Sequence, residues 1–220
     1  MAKLLPILGE LSGSIAGNVF SHNKGGHYAR ARSVPVNPNS ARQQVVRGIL
    51  SQVSAGWFDI IDAQRDAWTA FAALHPVLDA LGQSIVLSGH QMFCRVNAAI
   101  LHYGGTEIED PPGTWQAPDQ PLTISLAATA PDQLVFTYTA TPLVAGVKLF
   151  AYLSPPGGPG RDPNFRTARY AGKTAAAAAS PQTITSAIAI AAGQTVNAWA
   201  KLQSSNGAQG VPVKLRVVVA

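Results

Sequence analysis

The sequence predicts an α+β protein in two parts, a hairpin with three helices followed by an all-β half. Three observations carry this. Between residues 45 and 101 apolar side chains recur at helical spacing. From residue 122 onward the period drops to two. Between these regions lies EIEDPPGTWQAPDQ, residues 107–120, rich in proline, glycine and acids, which reads as a linker. The expected domains are therefore 1–106, a linker over 107–120, and 121–220.

Residues 12–20 contain Gly13 and Gly17 among small and β-branched residues, the composition of a thin strand with close neighbours. His22-Asn23-Lys24-Gly25-Gly26 is a turn signal, because Asn and Gly accept positive φ at little cost. Residues 28–36 read as the returning strand, with Tyr28, Arg30 and Arg32 on one face and Ala29, Ala31 and Ser33 on the other. So little bulk buries no core, so the hairpin is expected to lie on another surface. Pro35 and Pro38 then hold the chain extended, and Asn37 or Asn39 is placed to cap a helix. Val45, Val46, Ile49, Leu50, Val53 and Trp57 form its stripe. Asp62 opens a second helix with Ala67, Trp68, Phe71 and Leu74 on its apolar side, and Pro76 ends it. Ser88-Gly89-His90-Gln91 is a capping box opening a third, whose stripe is Phe93, Val96, Asn97, Ile100 and Leu101 and whose stop is Gly104-Gly105. The three make a small bundle around Trp57, Trp68, Phe71 and Phe93.

In the β half, Leu122-Ile124-Leu126, Leu134-Phe136-Tyr138, Val147-Leu149-Ala151-Leu153 and Val196-Ala198-Ala200-Leu202 alternate with polar or small residues. Residues 183–190 and 211–219 add two more runs. Six or seven short strands at regular spacing predict an antiparallel sandwich of immunoglobulin or fibronectin type III style, without the Cys…Trp…Cys pattern of antibody domains. The loop 154–169, proline-rich and basic, is either disordered or used for contact.

Across its 220 residues the chain is 47% hydrophobic, enough to bury a core in each half. No run of 18 apolar residues predicts a membrane span, and MAKLLPILG, broken by Pro6, is too short for a secretory signal. Cys94 is the one cysteine, so no internal disulfide forms; the expected role is a small buried hydrophobe. The net charge of +5 is uneven: residues 1–56 carry +5, residues 57–119 carry −6 and residues 120–220 carry +6. Alternating signs favour segments docking on one another or on copies of the same chain over one continuous nucleic-acid face.

No catalytic signature, metal motif or cofactor motif is found. His22, His27, His75, His90 and His102 form no H-x-x-x-H or H-E-x-x-H pair. His22 and His27 flank one turn, where they could face each other across the hairpin, and are read as an exposed pair rather than a metal site. Asp59, Asp62 and Asp66 read as helix-start charges, and Gly157, Gly158 and Gly160 precede no helix, which excludes a phosphate loop. The candidate contact residues are Lys24, Tyr28, Arg30, Arg32, Arg42 and Arg47, for assembly or, as the alternative, for phosphates.

The stretch SGSIAGNVFSHNKGGHYARARSVPVNPNSARQQVVRGILSQVSAGWFDIIDAQRDAWTAFA, with LSGHQMFCRVNAAIL after it, resembles a family of small proteins encoded in tailed bacteriophage and prophage genomes. The shared pattern is a Ser/Gly hairpin followed by Gly26…Arg30, Pro35…Asn37-Pro38, Gln43…Arg47, Trp57 and Arg65…Trp68. It covers residues 8–103. The resemblance implies a non-enzymatic virion component, made in the bacterial cytoplasm and partnered by a major capsid protein, other virion proteins or itself. Capsid decoration or cement is the expected role, with a head–tail connector or tail component as alternative. An enzyme carrying a carbohydrate-binding sandwich lacks the paired catalytic carboxylates it would need.

Overall fold

A computed structural model describes residues 2–3, 12–23, 26–34, 36–78, 82–121, 123–130, 132–139, 141–155, 157, 160, 162–186 and 188–219. The protein is mixed helix and antiparallel sheet, and the chain divides into two compact units, Met1–Gln44 and Val45–Ala220. That division does not coincide with the boundaries expected at 107 and 121.

The first unit is an antiparallel sheet in the order β1-β4-β3-β2, from β1 (Ala2–Lys3), β2 (Gly13–Ile15), β3 (Asn18–Asn23) and β4 (Gly26–Ala31). The single strand expected over 12–20 is instead two strands joined by a tight turn. Ala16 sits at φ 51° in that turn, and Gly17 follows. Short side chains permit the reversal, and the backbone N–H of Arg32 donates to Gly17 O at 2.7 Å. Pairing continues through Val19↔Arg30 and His22↔His27 to Asn23↔Gly26, and β4 ends at Ala31 rather than 36. The tip residues Lys24 and Gly25, and Pro35 in the hinge, lie outside the described residues.

Helix α1 (Ala41–Asp59) starts at a capping box on Ser40, not at the cap expected at Asn37 or Asn39. Ser40 Oγ accepts the Gln43 N–H at 3.4 Å, and Gln43 Oε1 accepts the Ser40 N–H at 3.2 Å. Asn37 Oδ1 accepts the N–H of Asn39 instead. Helix α2 (Asp62–Leu74) and helix α3 (Gly89–Tyr103) complete the helical layer. At α3 the predicted Ser88/Gln91 box is present, and Gly104 caps the far end at φ 94°, a left-handed conformation that glycine adopts without Cβ strain. The helices share a core of Val53, Ile60, Trp68, Phe71, Met92, Phe93, Val96 and Ile100, with Trp57 packed on its edge. Trp68 meets Phe93 edge-on at 5.3 Å and Phe71 at 5.7 Å, the favoured aromatic geometry.

A small two-stranded ladder, β5 (Val77–Leu78) with β6 (Ser84–Ile85), links α2 to α3. The β region follows as β7 (Thr123–Ala130), β8 (Gln133–Thr139), β9 (Val147–Leu153), β10 (Arg169–Lys173), β11 (Gln182–Thr185), β12 (Thr195–Ser204) and β13 (Val213–Val218). One sheet has the order β11-β8-β7 and the other β10-β9-β12-β13. Alternate residues of both, among them Leu134, Phe136, Tyr138, Leu149, Leu153 and Val196, fill one core. Sequence reasoning missed β10, whose RYAGK carries a bulge between Tyr170 and Gly172 that breaks the alternation.

Within this unit α3 is tied to the four-stranded sheet and its loops. Gln203 Nε2 donates to Ala99 O at 2.6 Å, and Tyr103 OH donates to Gly146 O at 3.0 Å. Two lysines of the sheet close the C-terminal end of α3: Lys148 Nζ donates to Tyr103 O at 2.9 Å, and Lys173 Nζ donates to His102 O at 2.8 Å and Tyr103 O at 3.1 Å. These carbonyls have no intrahelical partner and sit at the negative end of the helix dipole, where cations are favoured. Residues 107–120 hold no regular element, yet they are fastened along their length. Asn97 grips Ile108 through both its N–H and C=O, Trp68 Nε1 donates to Glu109 O, Trp115 packs edge-on to Phe71, and Asn206 Nδ2 donates to Thr114 O.

Candidate assembly surface

None of the described side chains of the first unit is buried. Its edges are strands of two and three residues. Tyr28 and Arg30 share one face of β4, opposite Ser21 and Val19, with Tyr28 half-buried and Arg30 exposed. Arg32 lies just past the end of the strand and is exposed. Arg42 is half-buried in the first turn of α1, within the same unit. Arg47 is exposed on α1 in the second unit, and Lys24 lies outside the described residues. The structure thus brings Tyr28 and Arg30 together on one face and distributes Arg32, Arg42 and Arg47 over the strand end and the helix.

Helix α1 departs from the expected stripe. Val53 is fully buried, but Val45, Val46 and Leu50 are 51%, 48% and 54% exposed, as is Phe58 at 76%. On α2, Leu74 is 77% exposed, against an expected place in the core. Periodicity identifies which residues share a helix face; it does not say whether that face meets anything in the same chain. Val45, Val46 and Leu50 are contact candidates that the sequence placed on the core-facing stripe of α1.

Other clusters look chemical at first sight. Cys94 Sγ lies 3.4 Å from His90 Nε2, one turn earlier on α3, a pairing legible as H-x-x-x-C and not noticed in the sequence. Burial pushes the thiol up, opposed by a hydrogen bond from Ser54 and reinforced by the Glu107 charge. An activated cysteine needs the reverse shift. A depression of about 750 Å³ is lined in part by Glu107, Glu109, Asp110 and Asn206. Two of its carboxylates are engaged as ties, Glu107 Oε2 accepting from Gln52 Nε2 and Glu109 Oε2 from Gln64 Nε2. Asp62 pairs with Arg65 at 2.7 Å within the first turn of α2, and Asp59 is the last residue of α1. Among the described residues no three His, Cys, Asp or Glu side chains gather as metal ligands, and no helix is long and apolar enough to cross a membrane.

Compared with known proteins, the chain matches no protein-family model and no curated protein.

Proposed function

We propose that the chain is a structural protein of a tailed bacteriophage particle that acts through protein–protein contacts, as a capsid decoration or cement protein. The observation that carries this reading is the first unit: a four-stranded sheet in which no described side chain is buried. A sheet without a hydrophobic face in contact with something is marginal in water, so a surface supplied by assembly is its natural complement. The edge strands, two and three residues long, leave little main chain for strand addition, so the contact is expected through the faces of the sheet. The exposed valines and leucine of α1 give a second, apolar contact. The β region fits an immunoglobulin/fibronectin type III-like sandwich, seven strands split as three and four over one core, a module suited to projecting from a shell or linking neighbours. The phage-like motifs of residues 8–103 supply the setting.

The test is the copy number of the chain in purified particles, measured by quantitative mass spectrometry against the major capsid protein. A simple ratio to the capsid protein supports decoration, and about a dozen copies moves the protein to the neck or tail. Absence from particles defeats the virion reading. A nucleic-acid role is the second reading, favoured by the exposed Arg30 and Arg32. It requires binding that falls steeply with salt and is lost in Arg30→Ala/Arg32→Ala.

A further inference from the structure

Of the five histidines in the chain, two stand directly opposite each other on neighbouring strands: His22 of β3 and His27 of β4. Directly opposed residues of an antiparallel pair project from the same face. Their ring centroids are 5.8 Å apart and the planes are tilted by 50°. His27 is half-buried, and its Nδ1 is shielded from solvent with no hydrogen-bond partner. The next pair on the same face, Phe20 opposite Ala29, is half-buried and apolar. The register holds the two rings together, and one ring nitrogen is left with nothing to bind.

That spacing is close to what one metal ion requires. Two imidazole nitrogens at about 2.0–2.1 Å from a tetrahedral ion lie about 3.3 Å from each other and put their ring centroids about 5 Å apart. The observed separation is larger by less than about 1 Å, within reach of a small side-chain rotation. We propose that His22 and His27 form a two-imidazole chelate for a divalent first-row transition-metal ion such as Zn²⁺, Ni²⁺ or Cu²⁺, the ions that imidazole suits. Ca²⁺ and Mg²⁺ are excluded because they take oxygen ligands. Among the described residues no third ligand side chain joins the pair, so water completes the coordination shell. In the sequence the two histidines read as an exposed turn pair. The direct register, the ring separation and the unpaired Nδ1 decide for a chelate.

The experiment is a Zn²⁺ titration of the full chain followed by imidazole ¹H–¹⁵N NMR. The rings of His22 and His27 are expected to shift together along one saturation curve. His22→Ala and His27→Ala are each expected to weaken binding about tenfold or more, as a chelate reduced to a single imidazole. Zn²⁺ that leaves both rings unmoved, moves one without the other, or shifts only His90 beside Cys94 overturns the proposal, as does a single variant that binds as tightly as the parent. The two-ring curve of the parent protein is decisive by itself, so the proposal stays testable if removing a histidine disturbs the hairpin.

Discussion

At Gly207 the β region comes close against the third helix, and a single methyl group there tests how that contact is made. Its φ is +85°, and an added Cβ would lie 2.9 Å from Val96 O and 3.1 Å from Ile100 Cγ1. A left-handed conformation costs an alanine about 1–2 kcal/mol. Forcing a methyl group against a helix carbonyl adds about 1–3 kcal/mol of overpacking, so Gly207→Ala is expected to lose about 2–5 kcal/mol. Gly193 separates the two terms. Its φ is +77° with nothing within 4 Å of an added Cβ, so Gly193→Ala carries the conformational cost alone. The assay is urea unfolding followed by tryptophan fluorescence. With a slope of about 2 kcal/mol/M, the midpoint of Gly207→Ala falls by about 1–2.5 M and that of Gly193→Ala by about 0.5–1 M. Equal losses in the two variants, or a Gly207→Ala midpoint at the parent value, would refute the close approach of the loop to α3.

Lys148→Met and Lys173→Met should each cost about 1 kcal/mol through the uncapped carbonyls of α3. Because both lysines donate to Tyr103 O, a double-mutant cycle should show coupling, and strict additivity would count against a shared cap. Cys94 should alkylate more slowly than an unhindered thiol near neutral pH, with the midpoint of its pH–rate profile displaced upward. A midpoint displaced downward would mean that His90 activates it. Lys201 is pushed below its ordinary value by burial first and by Arg95 second. The unfolded chain therefore binds more protons between the folded and unfolded values, and stability rises with pH across that window. The Cys94 thiol has the opposite sign and loses stability as pH rises past its unfolded value, so the measurement belongs in a Cys94→Ser background. There the stability gap between the parent and Lys201→Met should change in the parent's favour as pH climbs toward the ordinary lysine range.

Much of the fold was legible because local chemistry specified it. The Ser88/Gln91 box and the Gly104 stop follow from residues a few positions apart, and the Trp68–Phe93 contact from the apolar stripes of two helices that face each other. The turn at Ala16-Gly17 was not legible, since Ala16 carries no turn preference and the surrounding small residues fit one strand as well as two. Strand β10 hid behind its bulge. The ties along residues 107–120 were invisible for a different reason: prolines and acids describe a stretch without regular structure, and their composition does not reveal that Trp68 and Asn97 hold its backbone. Of the contact candidates, the alternation of Tyr28 and Arg30 was readable from period two. The exposure of Val45, Val46 and Leu50 depends on what the rest of the chain leaves uncovered, which no window of sequence contains.

Asn97 reads main chain, not side chain: its Nδ2 donates to Ile108 O at 3.0 Å, and its Oδ1 accepts the Ile108 N–H at 2.8 Å. The two partners of this clamp are therefore unequal in what they tolerate. Position 108 can exchange one apolar residue for another without disturbing the hydrogen bonds. Position 97 has no such latitude, because aspartate cannot donate, leucine satisfies neither group and glutamine is one methylene too long for the same reach. Variation along this chain should accordingly be permissive at 108 and closed at 97, although only Asn97 looks out of place on an apolar helix face.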